Sequence, residues 1–221
     1  NAQDVPRVVS SCSNITGKDG QSRLWCPGIR QLGEGLFIAP GDPQGDGSFD
    51  ACEWTRGDEP CEEWRGVHGS SGNYPGHLFR DPENRVETTP LFVWWHTFSH
   101  MLLREISLDA GYPMSSIRER VYAIPRDDPG QRRAGVLLYT HPRGSEGTLG
   151  GLISLGDEGS MKTYIANALI RARVCSNDPI CSGARVKPPA FNGAACYACA
   201  FLPETSCEHR NAWLDRRLLW R

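Results

Sequence analysis

Residues 175–207 read CSNDPICSGARVKPPAFNGAACYACAFLPETSC. Five of the chain's nine cysteines fall in this stretch, spaced C-x5-C-x14-C-x2-C-x7-C. The Cys196-x-x-Cys199 pair is a tight clamp, because two intervening residues let both sulfurs and the turn between them close on one tetrahedral ion. A second pair upstream completes four ligands, as in zinc ribbons. Small residues, Asn192-Gly193-Ala194-Ala195, precede the clamp where the backbone must turn closely. A redox CxxC would open a helix after a buried strand, and this Gly/Pro/Ala-rich stretch does not. A disulfide framework needs an oxidising compartment, for which no basic and apolar leader speaks here. The reading is a structural zinc site drawn from Cys175, Cys181, Cys196, Cys199 and Cys207. One of the five is spare: Cys175 and Cys181 compete for one position, or one stands just outside the ligands.

Working outward, the next strong signal lies upstream. Thr89-Pro90 opens a run from Leu91 to Leu108 that is apolar nearly all round. Thr is a good N-cap, and Pro at the first helical position loses no hydrogen bond. The run predicts a central buried helix that stops near Gly111. Gly35–Ala39 and Gly135–Thr140 read as short strands. Ser116-Ile117-Arg118-Glu119 fits a capping box that opens a short helix, Met161 to Val174 fits an amphipathic helix capped by Ser160, and Thr205 with Glu208 predicts a final helix through Leu214 and Leu218.

The 221 residues carry a net charge of -2, with Gly and Pro at about 18% of the chain against roughly 12% in average usage. This composition predicts a loop-rich fold. No run approaches 18 apolar residues, which excludes a transmembrane helix, and the expected location is cytoplasmic. The chain opens on Asn1, as expected of a processed piece or the tail of a longer polypeptide. Residues 42–63 hold eight acids against one Arg and read as an acidic insertion. Residues 162–221 hold nine Lys/Arg and four Asp/Glu, a net of +5, so the basic end is the part suited to a polyanion. Arg216 and Arg217 are the candidate phosphate contacts. The early cysteines, Cys12, Cys26, Cys52 and Cys61, read as buried thiols, with a second metal cluster as the alternative.

The expected fold class is α+β: a helical core with a short sheet and a C-terminal Cys-rich zinc module. Its expected parts are a loop-rich region over 1–89, a helical and strand core over 90–174, and the zinc module with a C-terminal helix over 175–221. His96 and His100 lie four apart, so their rings share one helix face. The metalloprotease pattern needs Glu beside the first His, and Thr97 stands there. Structural imidazoles bonded inside the core are the plainer reading, and a site role with Glu146 of the 144–151 glycine-rich turn is the sharper one. That turn carries no Gly-Lys-Ser/Thr, so close packing of backbone is expected there in preference to a phosphate site.

Several motifs together carry a family likeness: Trp94-Trp95-His96-Thr97-Phe98-Ser99-His100, Ser115–Tyr122, Val136–Thr140, Ser145–Leu152, and the late block Cys175, Asp178-Pro179, Cys181, Asn192–Cys196, Cys199, Pro203–Cys207 and Leu214-Asp215-Arg216. In these the chain resembles the zinc-binding domain of the MrfA repair-helicase type and, more closely, the DrmB family of the DISARM antiphage defence system. Members of that family are much longer than this chain. The resemblance implies Zn2+ on the late cysteines, a superfamily-two helicase partner of the DrmA type, and DNA engagement through the complex. The function expected is a non-catalytic zinc-binding subunit of a bacterial defence complex. Two alternatives stay open: a metal-dependent nuclease or hydrolase using His96, His100 and Glu146, and a pure protein–protein scaffold.

Overall fold

A computed structural model describes residues 13–16, 20–25, 33–40, 59–67, 89–124, 133–140, 150–186 and 191–220. The elements in chain order are β1 (Ser13–Thr16), β2 (Ser22–Trp25), β3 (Gly35–Ile38), α1 (Glu59–Val67), α2 (Pro90–Asp109), β4 (Ile117–Ile124), β5 (Arg133–Thr140) and α3 (Glu158–Ala172). β1 and β2 form an antiparallel pair of their own. The second sheet is antiparallel in the order β3-β5-β4, with Leu36 opposite Leu138 and Glu119 also opposite Leu138. Among the described residues, three helices beside a small sheet make the fold α+β, as the sequence predicts.

Helix α2 is the centre of the molecule. The Thr89 hydroxyl accepts from the Phe92 amide at 3.2 Å, and Pro90 fills the first turn. The helix is buried on nearly every side, against β4, β5 and α3. Leu102, Leu103 and Ile106 pack with Ile117, Val136, Leu138 and Leu152. Each such side chain contributes about 1.5–3 kcal/mol through removal from water. Gly111 follows with φ +72, a left-handed turn that suits glycine.

Four local expectations change. Ser116 ends a short 3-10 turn (Met114–Ser116), and Ile117 begins strand β4, because the residues that follow pair with β5 over eight positions. α3 is capped by Asp157, whose carboxylate accepts from the Ser160 amide at 3.0 Å. No helix starts at Thr205: the chain turns repeatedly, with positive φ at Arg210, Asn211 and Trp213, and only Arg216–Leu219 forms a 3-10 turn. Part of the acidic stretch is helical, since α1 begins at Glu59 and buries Cys61 and Trp64.

Gly151 shows what the glycine-rich turn does where it is described. A Cβ there would stand 2.3 Å from the Ala110 carbonyl oxygen, so backbone approaches backbone at the end of α2. The amides of Leu152 and Ile153, which could have attracted an anion, are filled from within. They donate to the two oxygens of Glu34 at 2.9 and 3.2 Å. Burial pushes the Glu34 carboxyl up, but those amides and the Tyr112 hydroxyl outweigh it and hold the group below its usual range.

Candidate metal centres

Cys175, Cys181, Cys196 and Cys199 bring their sulfurs within 4.8 Å of one another. The separations are 3.6 Å for Cys175–Cys196, 3.7 Å for Cys196–Cys199 and 3.8 Å for Cys181–Cys199. A zinc–sulfur bond of about 2.3 Å gives a tetrahedron with edges of about 3.8 Å, so the four sulfurs fit that ion. Cys175, Cys181, Cys196, Cys199 and Cys207 are all free thiols. The competition expected between Cys175 and Cys181 is absent, because both sit at this cluster, one at each end of a turn organised by Asp178. Its carboxylate accepts from the Cys175 and Ser182 amides, both at 2.9 Å.

Hydrogen-bond donors surround the sulfurs. Backbone amides of Asn177 and Cys196 point at the Cys175 and Cys199 sulfurs at 3.4 and 3.3 Å, and the Asn177 side-chain amide points at Cys196 at 3.4 Å. Burial acts to raise the Cys196 thiol, yet the Ala198 amide, Cys175, Asn177 and Cys199 hold it down to about 6. Burial pushes Cys181 up to about 11. A divalent cation favours the deprotonated form of all four sulfurs. Four thiolates saturate zinc and leave no open position, so the ion supplies folding free energy and cross-linking there.

Helix α2 holds this knuckle in place. His100 Nδ1 donates to the Ala200 carbonyl at 2.8 Å, and Arg104 donates to the Phe201 carbonyl at 3.0 Å. On the other flank lies Arg216, fully buried, which donates to the Ala172 carbonyl at 3.0 Å, pairs with Asp178, and stacks over the Trp220 ring at 5.1 Å. Arg217 pairs with Asp215 at 2.6 Å and Glu63 at 2.7 Å. Both guanidiniums are therefore interior structural cations. The phosphate-contact expectation does not match their placement, since each guanidinium is buried and already has a carboxylate partner.

Cys207 stands apart from the other four. It lies with His96, His100 and Glu119 in a second group whose ligand atoms fall within 4.8 Å of one another, all buried. His96 Nε2 is 3.3 Å from the Cys207 sulfur and 3.5 Å from Glu119 Oε1. The spacing of the two histidines puts them on one face, as found, but points to no further ligand. In the sequence Glu119 looks like a helix cap, and Cys207 counts with the first cluster. Both histidines are wholly enclosed, so the nuclease reading has no surface at which a substrate could meet them. Glu146 lies outside the described residues, as do Cys12, Cys26 and Cys52. Cys61 is described and is buried on α1.

Similarity to known proteins fits this geometry. Residues 98–200 match the family model of the MrfA Zn-binding domain, and this range contains all four clustered cysteines. Over 202 residues, 88% of the chain, the sequence is 37% identical to the DISARM protein DrmB of Bacillus paralicheniformis. The match covers 33% of that protein, so the chain spans about one third the length of the curated relative. The family model and the four-sulfur geometry together support zinc as the metal.

Proposed function

We propose, from the similarity to DrmB and the match to the MrfA Zn-binding domain, that the chain is a non-catalytic, zinc-binding part of a DISARM defence complex. Cys175, Cys181, Cys196 and Cys199 are the zinc ligands in this reading. The ion fastens residues 175–186 and 191–220 onto α2 and so shapes the face offered to a helicase of the DrmA type, with DNA engaged through the complex. The observation that carries the reading is the closed four-sulfur cluster inside the matched domain. A site with no open coordination position supports architecture more naturally than catalysis. Free thiolates of this kind fit a reducing compartment, which supports the cytoplasm as the location. No described helix is long and apolar enough to cross a membrane.

The test is co-purification of the tagged full chain with a DrmA-type helicase expressed in the same cell. The wild-type chain is expected to retain the helicase and the pair to bind DNA with a steep salt dependence. Cys196→Ser with Cys199→Ser is expected to lose zinc and helicase together. Failure of the zinc-loaded wild-type chain to retain the helicase overturns the reading.

A further inference from the structure

The second buried cluster has the make-up of a metal site in its own right, and none of its chemistry is needed by the first. The carbonyls of Trp213 and Ala200 fix the two ring tautomers. Each lies near an Nδ1, at 3.2 Å from His96 and 2.8 Å from His100, and a carbonyl can only accept. Both Nδ1 atoms therefore carry the proton, and in the neutral rings both Nε2 lone pairs face the cluster. Metal-ligating histidines are held in this way, with the far nitrogen donating to a carbonyl.

The groups they face are acceptors as well. His100 Nε2 and Glu119 Oε2 are buried with no hydrogen-bond partner. The Cys207 sulfur receives the backbone amides of His209 and Asn211, both at 3.3 Å. The loop that delivers those amides turns through left-handed Arg210 and Asn211, and Asn211 is locked by two side-chain hydrogen bonds to the Leu202 backbone, 2.8 and 2.9 Å. His100 Nε2 and Glu119 Oε2 are the two atoms of the cluster left unanswered. Buried acceptors left without a donor, as these two atoms are, are costly. A single cation at the centre satisfies all four groups.

We propose that His96, His100, Glu119 and Cys207 bind a second zinc ion, in a closed site separate from the four-cysteine centre. One thiolate and one carboxylate neutralise the ion's two positive charges, so the loaded site is neutral, as its full burial demands. Nitrogen, sulfur and carboxylate oxygen are all ordinary zinc ligands, and four of them complete the tetrahedron. The ion ties α2, β4 and the Cys207 loop at one point, and His100 links it through Ala200 to Cys199 of the first centre. Two of its four ligands, His96 and Cys207, lie outside residues 98–200, beyond the matched domain.

The measurement is zinc content per chain together with zinc-edge X-ray absorption on the purified full chain. The expected wild-type result is two zinc ions per chain and a mean shell of five sulfurs to three nitrogen or oxygen atoms, with imidazole scattering. His100→Ala and Cys207→Ser are each expected to drop the count to one and leave an all-sulfur shell. One ion per chain in an all-sulfur shell overturns the proposal, and so does retention of two ions by folded His100→Ala and Cys207→Ser. One ion in a shell rich in nitrogen and oxygen supports the second site and overturns the four-cysteine assignment instead. Should both variants fail to fold, the wild-type count and shell still decide.

Discussion

Asp215 shows how much a single residue can organise here. Its carboxylate accepts from the Ala194 amide at 3.1 Å, the Trp64 indole at 3.1 Å and the Arg217 side chain, and its own amide donates to Thr97. The space for this comes from Gly193, where a Cβ would stand 2.0 Å from Asp215 Oδ2. Gly193→Ala must displace the carboxylate or the chain before Cys196, and is expected to cost about 1–3 kcal/mol in a denaturant titration. No change in midpoint would count against the arrangement. Glu34 is the other decisive carboxylate. Its folded pKa lies below the unfolded value, so its stabilisation is present above the ordinary glutamate range and lost as pH falls through the folded value. Glu34→Gln is expected to cost on the order of 1–3 kcal/mol at neutral pH. The difference from wild type should shrink as the pH drops below about 4. A constant difference across that titration would contradict a lowered folded pKa.

At the scale of elements, α2 is plain in the sequence because its cap and its all-round apolarity are local signals. The structure bounds it at Pro90–Asp109, within a residue of the expectation. β5 is equally plain, as Arg133–Thr140 contains the predicted run. β4 is not. Ile117 and Glu119 are both buried on one face while Arg118 and Arg120 alternate with them, so an inward-facing acid breaks the apolar pattern by which a strand is recognised. That same acid is what the second cluster uses, so the misread element and the missed ligand have one cause. The tail from Thr205 is illegible for a different reason. Its turns place non-glycine residues at positive φ, held by hydrogen bonds to distant backbone, and nothing local announces them. The four-cysteine cluster is legible because CxxC spacing is local, whereas the parting of Cys207 from its neighbours is a tertiary fact. The contact between α2 and the tail can be tested directly. Thr97 donates to the Val93 carbonyl at 2.7 Å and accepts the Asp215 amide at 2.9 Å. Thr97→Val keeps the shape but strands that buried amide, with an expected cost of about 1–3 kcal/mol in thermal or denaturant unfolding. An unchanged stability would mean the tail docks on packing alone.

For the whole molecule, the unequal distribution of regular structure decides what metal removal does. α2, α3 and the β3-β5-β4 sheet carry their own hydrogen-bond ladders and share one apolar cluster. Residues 191–220 have no helix or strand beyond the 3-10 turn Arg216–Leu219, yet Trp213, Leu214, Leu218 and Leu219 are buried. Such a segment keeps its shape by cross-links and tertiary contacts. A structural zinc supplies on the order of 10 kcal/mol to the fold that binds it, more than the tail's few backbone bonds can replace. Chelation under reducing conditions is therefore expected to leave most of the far-ultraviolet dichroism of the helices. It should abolish the near-ultraviolet signal from Trp213 and from Trp64, whose indole is held by Asp215. The apolar face of α2 is uncovered in the same step, because Trp213 and Leu218 pack with Phe92 and Val93, so a hydrophobic dye should bind the stripped chain. Acidification should release the ion too, since every thiolate ligand must take up a proton to leave it. Zinc loss with both dichroic signals intact would show that the tail is held by packing and ion pairs, and that the metal does not organise the surface offered to a partner.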